Sequence, residues 1–80
     1  MNEVIKMLEK GGLTVFILKT EGEDDFWCWE VYTADVEDYD GSPEQFANDI
    51  ENAMIGTSWG GFDTVEDAVA DIGEGWIEKE

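Results

Sequence analysis

The sequence predicts a small α+β fold: an N-terminal helix, an antiparallel β-hairpin with residues 55–59 as a candidate third strand, and two further helices. All of these belong to one acidic domain over residues 1–80. Three observations predict it. Eighty residues hold one core and leave no room for a second. An apolar share of 42%, with four Trp, four Phe and two Tyr, is ample to fill that core and argues against disorder despite the charge. The spacing of apolar residues then changes along the chain from helix-like to strand-like and back.

Asn2 is placed to cap a first helix over residues 3–10, with Val4, Ile5 and Leu8 on one face and Gly11-Gly12 as its stop. Residues 13–20 are a run of strand formers, and residues 21–25 are too polar for anything but a turn. Residues 26–34 follow as the second strand of an antiparallel hairpin. That strand is apolar on both faces, with Phe26, Cys28 and Tyr32 on one and Trp27, Trp29 and Val31 on the other. The expectation is cover by helices on one side and by loops on the other. The alternative is an interface built on Trp27 and Trp29, serving a partner or a homodimer.

Residues 35–40 read as an acidic connector. Ser42-Pro43-Glu44-Gln45 is a strong helix start: Ser at the cap, Pro at the first position, Gln completing a capping box. This helix runs to about Ile55, with Phe46, Ile50, Ala53 and Met54 inward and Glu44, Asn48, Asp49, Glu51 and Asn52 outward. Residues 56–62 form a glycine-rich loop or the third strand around Trp59. Asp63 and Thr64 begin the last helix, with Val65, Ala68, Val69 and Ile72 inward. Trp76 and Ile77 fold back as a hydrophobic clamp.

Charge narrows function most. Twenty-one Asp and Glu face four Lys, with no Arg and no His, for a net −17 at pH 7. That balance excludes ordinary contact with nucleic acid or an anionic membrane, since both need cations at the interface. No stretch reaches the roughly 20 apolar residues of a membrane span, and the N-terminal residues lack a signal-peptide pattern. The single Cys28 has no internal disulfide partner, which fits a reducing, cytoplasmic setting.

The residues argue against an enzyme. Without His there is no Ser-His or Cys-His pair, without Arg no carboxylate or phosphate fork, and no phosphate-binding glycine loop is present. Asp38-Tyr39-Asp40-Gly41 looks like part of an EF-hand loop. In that register Val36 and Ala47 fall where the loop needs carboxylates, so no metal and no cofactor is expected. Cys28, between two Trp and far from any cation, reads as a core residue rather than a reactive thiol.

What remains is the arrangement of acids. Glu21, Glu23, Asp24 and Asp25 crowd the hairpin tip, and Asp35, Glu37, Asp38 and Asp40 crowd the connector. Asp63, Asp67, Asp71 and Glu74 recur at helical spacing, a row with steps of about 6 Å. A DNA strand carries one charge per roughly 3.4 Å of axis, so such a row is of comparable density. Between residues 20 and 78 no Lys interrupts the acids.

In size, charge and layout the whole chain resembles the small acidic inhibitors of phages and mobile elements that mimic nucleic acid, anti-CRISPR proteins in particular. No shared motif carries this resemblance. It implies a mechanism: occupation of a Lys/Arg-lined channel on a basic nucleic-acid-binding protein, which excludes DNA. A type I CRISPR surveillance complex is the first target it implies, because many anti-CRISPR proteins are this short. Two other readings compete. One is a small regulator binding or dimerising through Trp27 and Trp29, with acidity serving solubility. The other is adaptation to high salt, in which acidity says nothing of function.

Overall fold

Residues 14–18 are all buried, and they lie at the centre of the molecule. A strand apolar on both faces has to be flanked by other strands and covered on both sides. The computed structural model describes residues 2–20, 22–53 and 56–79 and meets that demand. Strands β1 (Asn2–Lys10), β2 (Leu13–Thr20), β3 (Phe26–Tyr32), β4 (Thr57–Phe62) and β5 (Ile77–Glu78) form one sheet in the order β4-β3-β2-β1-β5. Every neighbouring pair is antiparallel. Helices α1 (Thr33–Glu37), α2 (Pro43–Ala53) and α3 (Val65–Ile72) complete the fold.

The expected N-terminal helix is absent, and the chain begins with a strand. A β-bulge gives this strand its helix-like spacing. The β1–β2 register slips between Val4 and Lys6, so Ile5 is the extra residue. Val4 and Met7 then pack on one face of the sheet, while Ile5 and Leu8 pack on the other. An apolar set at 4, 5, 7 and 8 has helical spacing when read as one face. Split by a bulge, it is a strand buried on both sides. Gly11 and Gly12, read as a helix stop, make the turn into β2.

Each face of the sheet has its own core. On face A, Phe16, Leu18, Val31 and Met7 meet Phe46, Ala47 and Ile50 of α2, with Val36 and Tyr39 beside them. Phe16 and Phe46 pack with ring centroids 5.5 Å apart, and Tyr39 meets Phe46 edge-on at 4.9 Å. On face B, Leu8, Val15, Ile17 and Cys28 meet Ala68 of α3, with Val65, Val69, Ile72, Trp59, Phe62 and Trp76 around them. Helices therefore cover both faces, where loops were expected on one. Face A takes the even-numbered side chains of β2 and the odd-numbered ones of β3, so the two-faced reading holds within β3, whereas Thr33 and Ala34, expected in the strand, open α1. The exception within β3 is Tyr32, whose side chain is exposed.

Local signals placed the helices well. Ser42 Oγ accepts from the Gln45 amide at 3.2 Å, and Thr64 Oγ1 accepts from the Asp67 amide at 3.1 Å. Ala53 is exposed rather than inward, and Met54 and Ile55, also expected there, lie outside the described residues. The residue 35–40 connector is half helix, since α1 runs to Glu37 and Asp38 caps it. Trp76 folds back, donating from Nε1 to the Ile72 carbonyl at 2.9 Å, whereas Ile77 stays exposed. The third strand forms, at residues 57–62. Among the described residues no helix is long and apolar enough to cross a membrane.

If both faces are core, Phe16→Ala and Ile17→Ala should each cost about 2–5 kcal/mol in urea denaturation. Equal loss from two neighbouring residues that point in opposite directions is the signature; a loss from Phe16 alone would leave face B unexplained.

Candidate functional site

The charge has a location. Glu3, Glu9, Glu78 and Glu80 cancel Lys6, Lys10, Lys19 and Lys79, so residues 21–76 carry the entire net charge of −17. The four Lys sit on β1, on β2 and just beyond β5. Three of them serve the β1–β5 flank. Lys6 Nζ lies 3.3 Å from Glu78 Oε2, and Lys79 Nζ lies 3.0 Å from Glu9 Oε2. Lys10 Nζ donates to the Glu74 carbonyl at 2.8 Å and stands 5.9 Å above the Trp76 ring. Such surface pairs stabilise by no more than about 1 kcal/mol each. Their larger effect is to hold the cations at one side, and β3, β4 and all three helices carry none.

The sheet then sorts the acidic clusters. Phe26 pairs with Phe62, so Asp25 and Asp63 flank paired residues at the same end of the sheet. Glu23 and Asp24 share that end; Glu21 lies outside the described residues. Asp35, Glu37, Asp38 and Asp40 stand past the other end of β3. Helix α3 bridges the two regions, leaving β4 at the hairpin-tip end and leading to β5 beside Leu8 and Glu9.

The row of four carboxylates on one rod does not form. Helix α3 has two turns; Asp63 precedes its cap, and Glu74 follows Gly73, whose positive φ of 96° ends it. Asp67 and Asp71 remain on the helix, joined by Glu66. Asp71 also has structural work, since its Oδ2 accepts from Trp59 Nε1 at 2.9 Å and ties α3 to β4. Asp49 does the same on α2 by accepting from the Tyr39 hydroxyl, and that bond, ahead of partial burial, raises the phenol above its ordinary value. No three Cys, Asp or Glu among the described residues are grouped to hold a metal ion. The acids form a dispersed field, not a chelating point.

One corner of the sheet is left open. Helix α2 packs on β1 and α3 packs on β3 and β4 of the opposite face. On face A the core around Val31 is closed by α2 and by Val36 and Tyr39, and the corner formed by Trp27 and Ser58 stays open. A cleft of about 240 Å³ lies there, lined by Leu18, Thr20, Glu23, Trp27, Trp29, Ala47 and Ser58. Trp27 is 40% exposed at its edge. Its ring rests on Gly60, where a Cβ would stand 2.5 Å from the indole, so only glycine fits beneath it. Trp27 and Trp29 thus line the same opening, as their alternation implied. Gly60, Ser58 and Glu23 complete it, and no local motif marks them because strand register brings them in.

Cys28 is fully buried against face B, and burial, reinforced by the Asp71 charge, pushes its thiol up to about 11. A thiol held neutral in this way is a packing group.

Comparisons with protein-family models, with curated proteins and with solved structures find no match for this chain.

The raised Cys28 thiol fixes a sign. Its neutral form is favoured by folding, so the stability it contributes is intact below about 9 and is lost as pH rises through about 11. The midpoint of thermal unfolding should fall across that window, and Cys28→Ala should flatten the fall. Native protein at pH 8 should resist thiol reagents that react at once in denaturant. Self-repulsion over residues 21–76 should also make the melting temperature climb with added salt; a salt-independent melting temperature would mean that the field is too diffuse to matter.

Proposed function

We propose that the protein is a non-catalytic inhibitor that binds the basic nucleic-acid-binding surface of a host defence or DNA-processing complex and keeps DNA out by charge mimicry. The observation that carries this reading is the confinement of the whole −17 to residues 21–76, with the Lys gathered at β1, β2 and β5. A protein acidic for solubility alone gains nothing from emptying one flank of cations. A protein that docks on a cationic channel gains steering from it, because a one-signed surface speeds encounter and repels competing phosphate.

Hairpin-tip residues Glu23, Asp24 and Asp25 with Asp63 offer one anionic end. Residues 35–40 offer the other, and Glu66, Asp67 and Asp71 lie between them. The size and layout shared with small phage-encoded inhibitors make a type I CRISPR surveillance complex the first target, and the host cytoplasm the place of action. Binding would be strong at low ionic strength and steeply weakened as salt shortens the Debye length.

The test is competition for target duplex by a panel of purified, guide-loaded type I complexes. At about 0.1 M salt the protein should displace DNA, and at about 0.5 M it should not. Replacing Asp35, Glu37, Asp38 and Asp40 together by Asn or Gln should weaken inhibition roughly tenfold or more. Unchanged inhibition by that variant, or DNA binding untouched across the panel, would count against the proposal. Inhibition that ignores salt would instead assign the contact to Trp27 and Trp29.

A further inference from the structure

Strand β4 is the terminal strand of the sheet, and its outer edge pairs with no strand among the described residues. Its sequence, Thr57-Ser58-Trp59-Gly60-Gly61-Phe62, holds neither charge nor Pro, two of the devices that keep edges from recruiting another strand. Gly60 of this strand lies under the Trp27 indole, whose ring crosses onto it from β3. An open edge and an aromatic cleft therefore adjoin.

A strand added to β4 would alternate its side chains between the two faces of the sheet. On face A, one of them would stand beside Ser58 and Gly60, against the Trp27 ring and near Glu23. A planar cation suits that position, because guanidinium stacks on indole and forms bidentate bonds with carboxylate. No Lys lines the cleft. Lys19, the nearest in sequence, lies on face B with Nζ 5.6 Å from the Phe26 ring. A second copy of this chain fits the edge poorly, since it would bring another −17 and no Arg at all.

We propose that β4 accepts an extended basic segment of the partner protein as a sixth strand, with one arginine side chain seated on Trp27 and paired with Glu23. This rests on the reading of a basic partner and names the contact that gives that partner register. The diffuse field attracts the segment, and the edge and cleft select it.

The probe is the peptide acetyl-Thr-Arg-Val-Arg-Val-Arg-Thr-amide, titrated at about 0.05 M salt while amide resonances of residues 57–62 and the Trp emission are followed. Two further versions are N-methylated, each on one alternate set of amides. A paired strand presents its N–H groups alternately to either side, so one version should lose binding and the other should keep it. Trp27→Ala, with its fold checked by the amide spectrum before titration, should weaken the parent peptide roughly tenfold. Equal behaviour of the two methylated peptides, or full affinity in Trp27→Ala, overturns the strand and its arginine seat and leaves the basic-partner reading standing. Absence of binding by every version overturns both.

Discussion

The whole molecule depends on β2 being apolar on both of its faces. Phe16 and Leu18 point one way, Val15 and Ile17 the other, and each set is buried. A single-layer cover would leave one of them in water, at a cost of about 1.5–3 kcal/mol for each large side chain. Two helical layers are therefore required, and the chain has 11 residues for α2 and 8 for α3 with which to make them. Neither is long enough to span five strands. They settle on different halves of opposite faces, α2 over β1 and α3 over β3 and β4. The corner left open on face A, at Trp27 and Ser58, is where the cleft lined by Trp27 and Trp29 lies. The cleft is thus a consequence of covering a two-faced sheet with little chain.

The same economy decides where charge goes. With the central strands buried on both sides, most carboxylates fall on the helix exteriors, the loops and the sheet ends. Three of the four Lys go where the terminal strands meet, with Lys6 pairing Glu78 and Lys79 pairing Glu9 across the β1–β5 ladder. That closure secures a two-residue edge strand and neutralises its flank. The opposite edge, β4, has neither cations nor a covering strand, and it faces the part of the molecule that carries all the net charge. Some acids also hold the fold: Asp71 anchors Trp59, and Asp49 anchors Tyr39. The acidic field and the structural bonds therefore overlap at two carboxylates, and neutralising these would disturb more than charge.

Sequence reading succeeded where the deciding physics is local. The hairpin strands, the Ser42 and Thr64 caps, and the inward face of α3 depend on neighbours a few residues away, and all were legible. It failed at β1, because a bulge at Ile5 gives a two-faced strand the apolar spacing of a helix. It extended α3 by counting Asp63 and Glu74 into one row, although Gly73 stops the helix. Acidic stretches were visible as runs, but not that Asp25 and Asp63 share one end of the sheet, which needs the β3–β4 register. Gly60 as the seat of Trp27 is invisible for the same reason.

The proposed function rests on an uneven surface potential, and that can be read residue by residue. Paramagnetic relaxation of amide protons by a cationic and by a neutral nitroxide co-solute reports the potential near each one. Strongly negative values are expected along α1, α2 and α3, at residues 22–25 and along β4, with values near zero at residues 3–10 and 77–79. An even potential over the surface, or a β1–β5 flank as negative as the helices, would contradict that expectation.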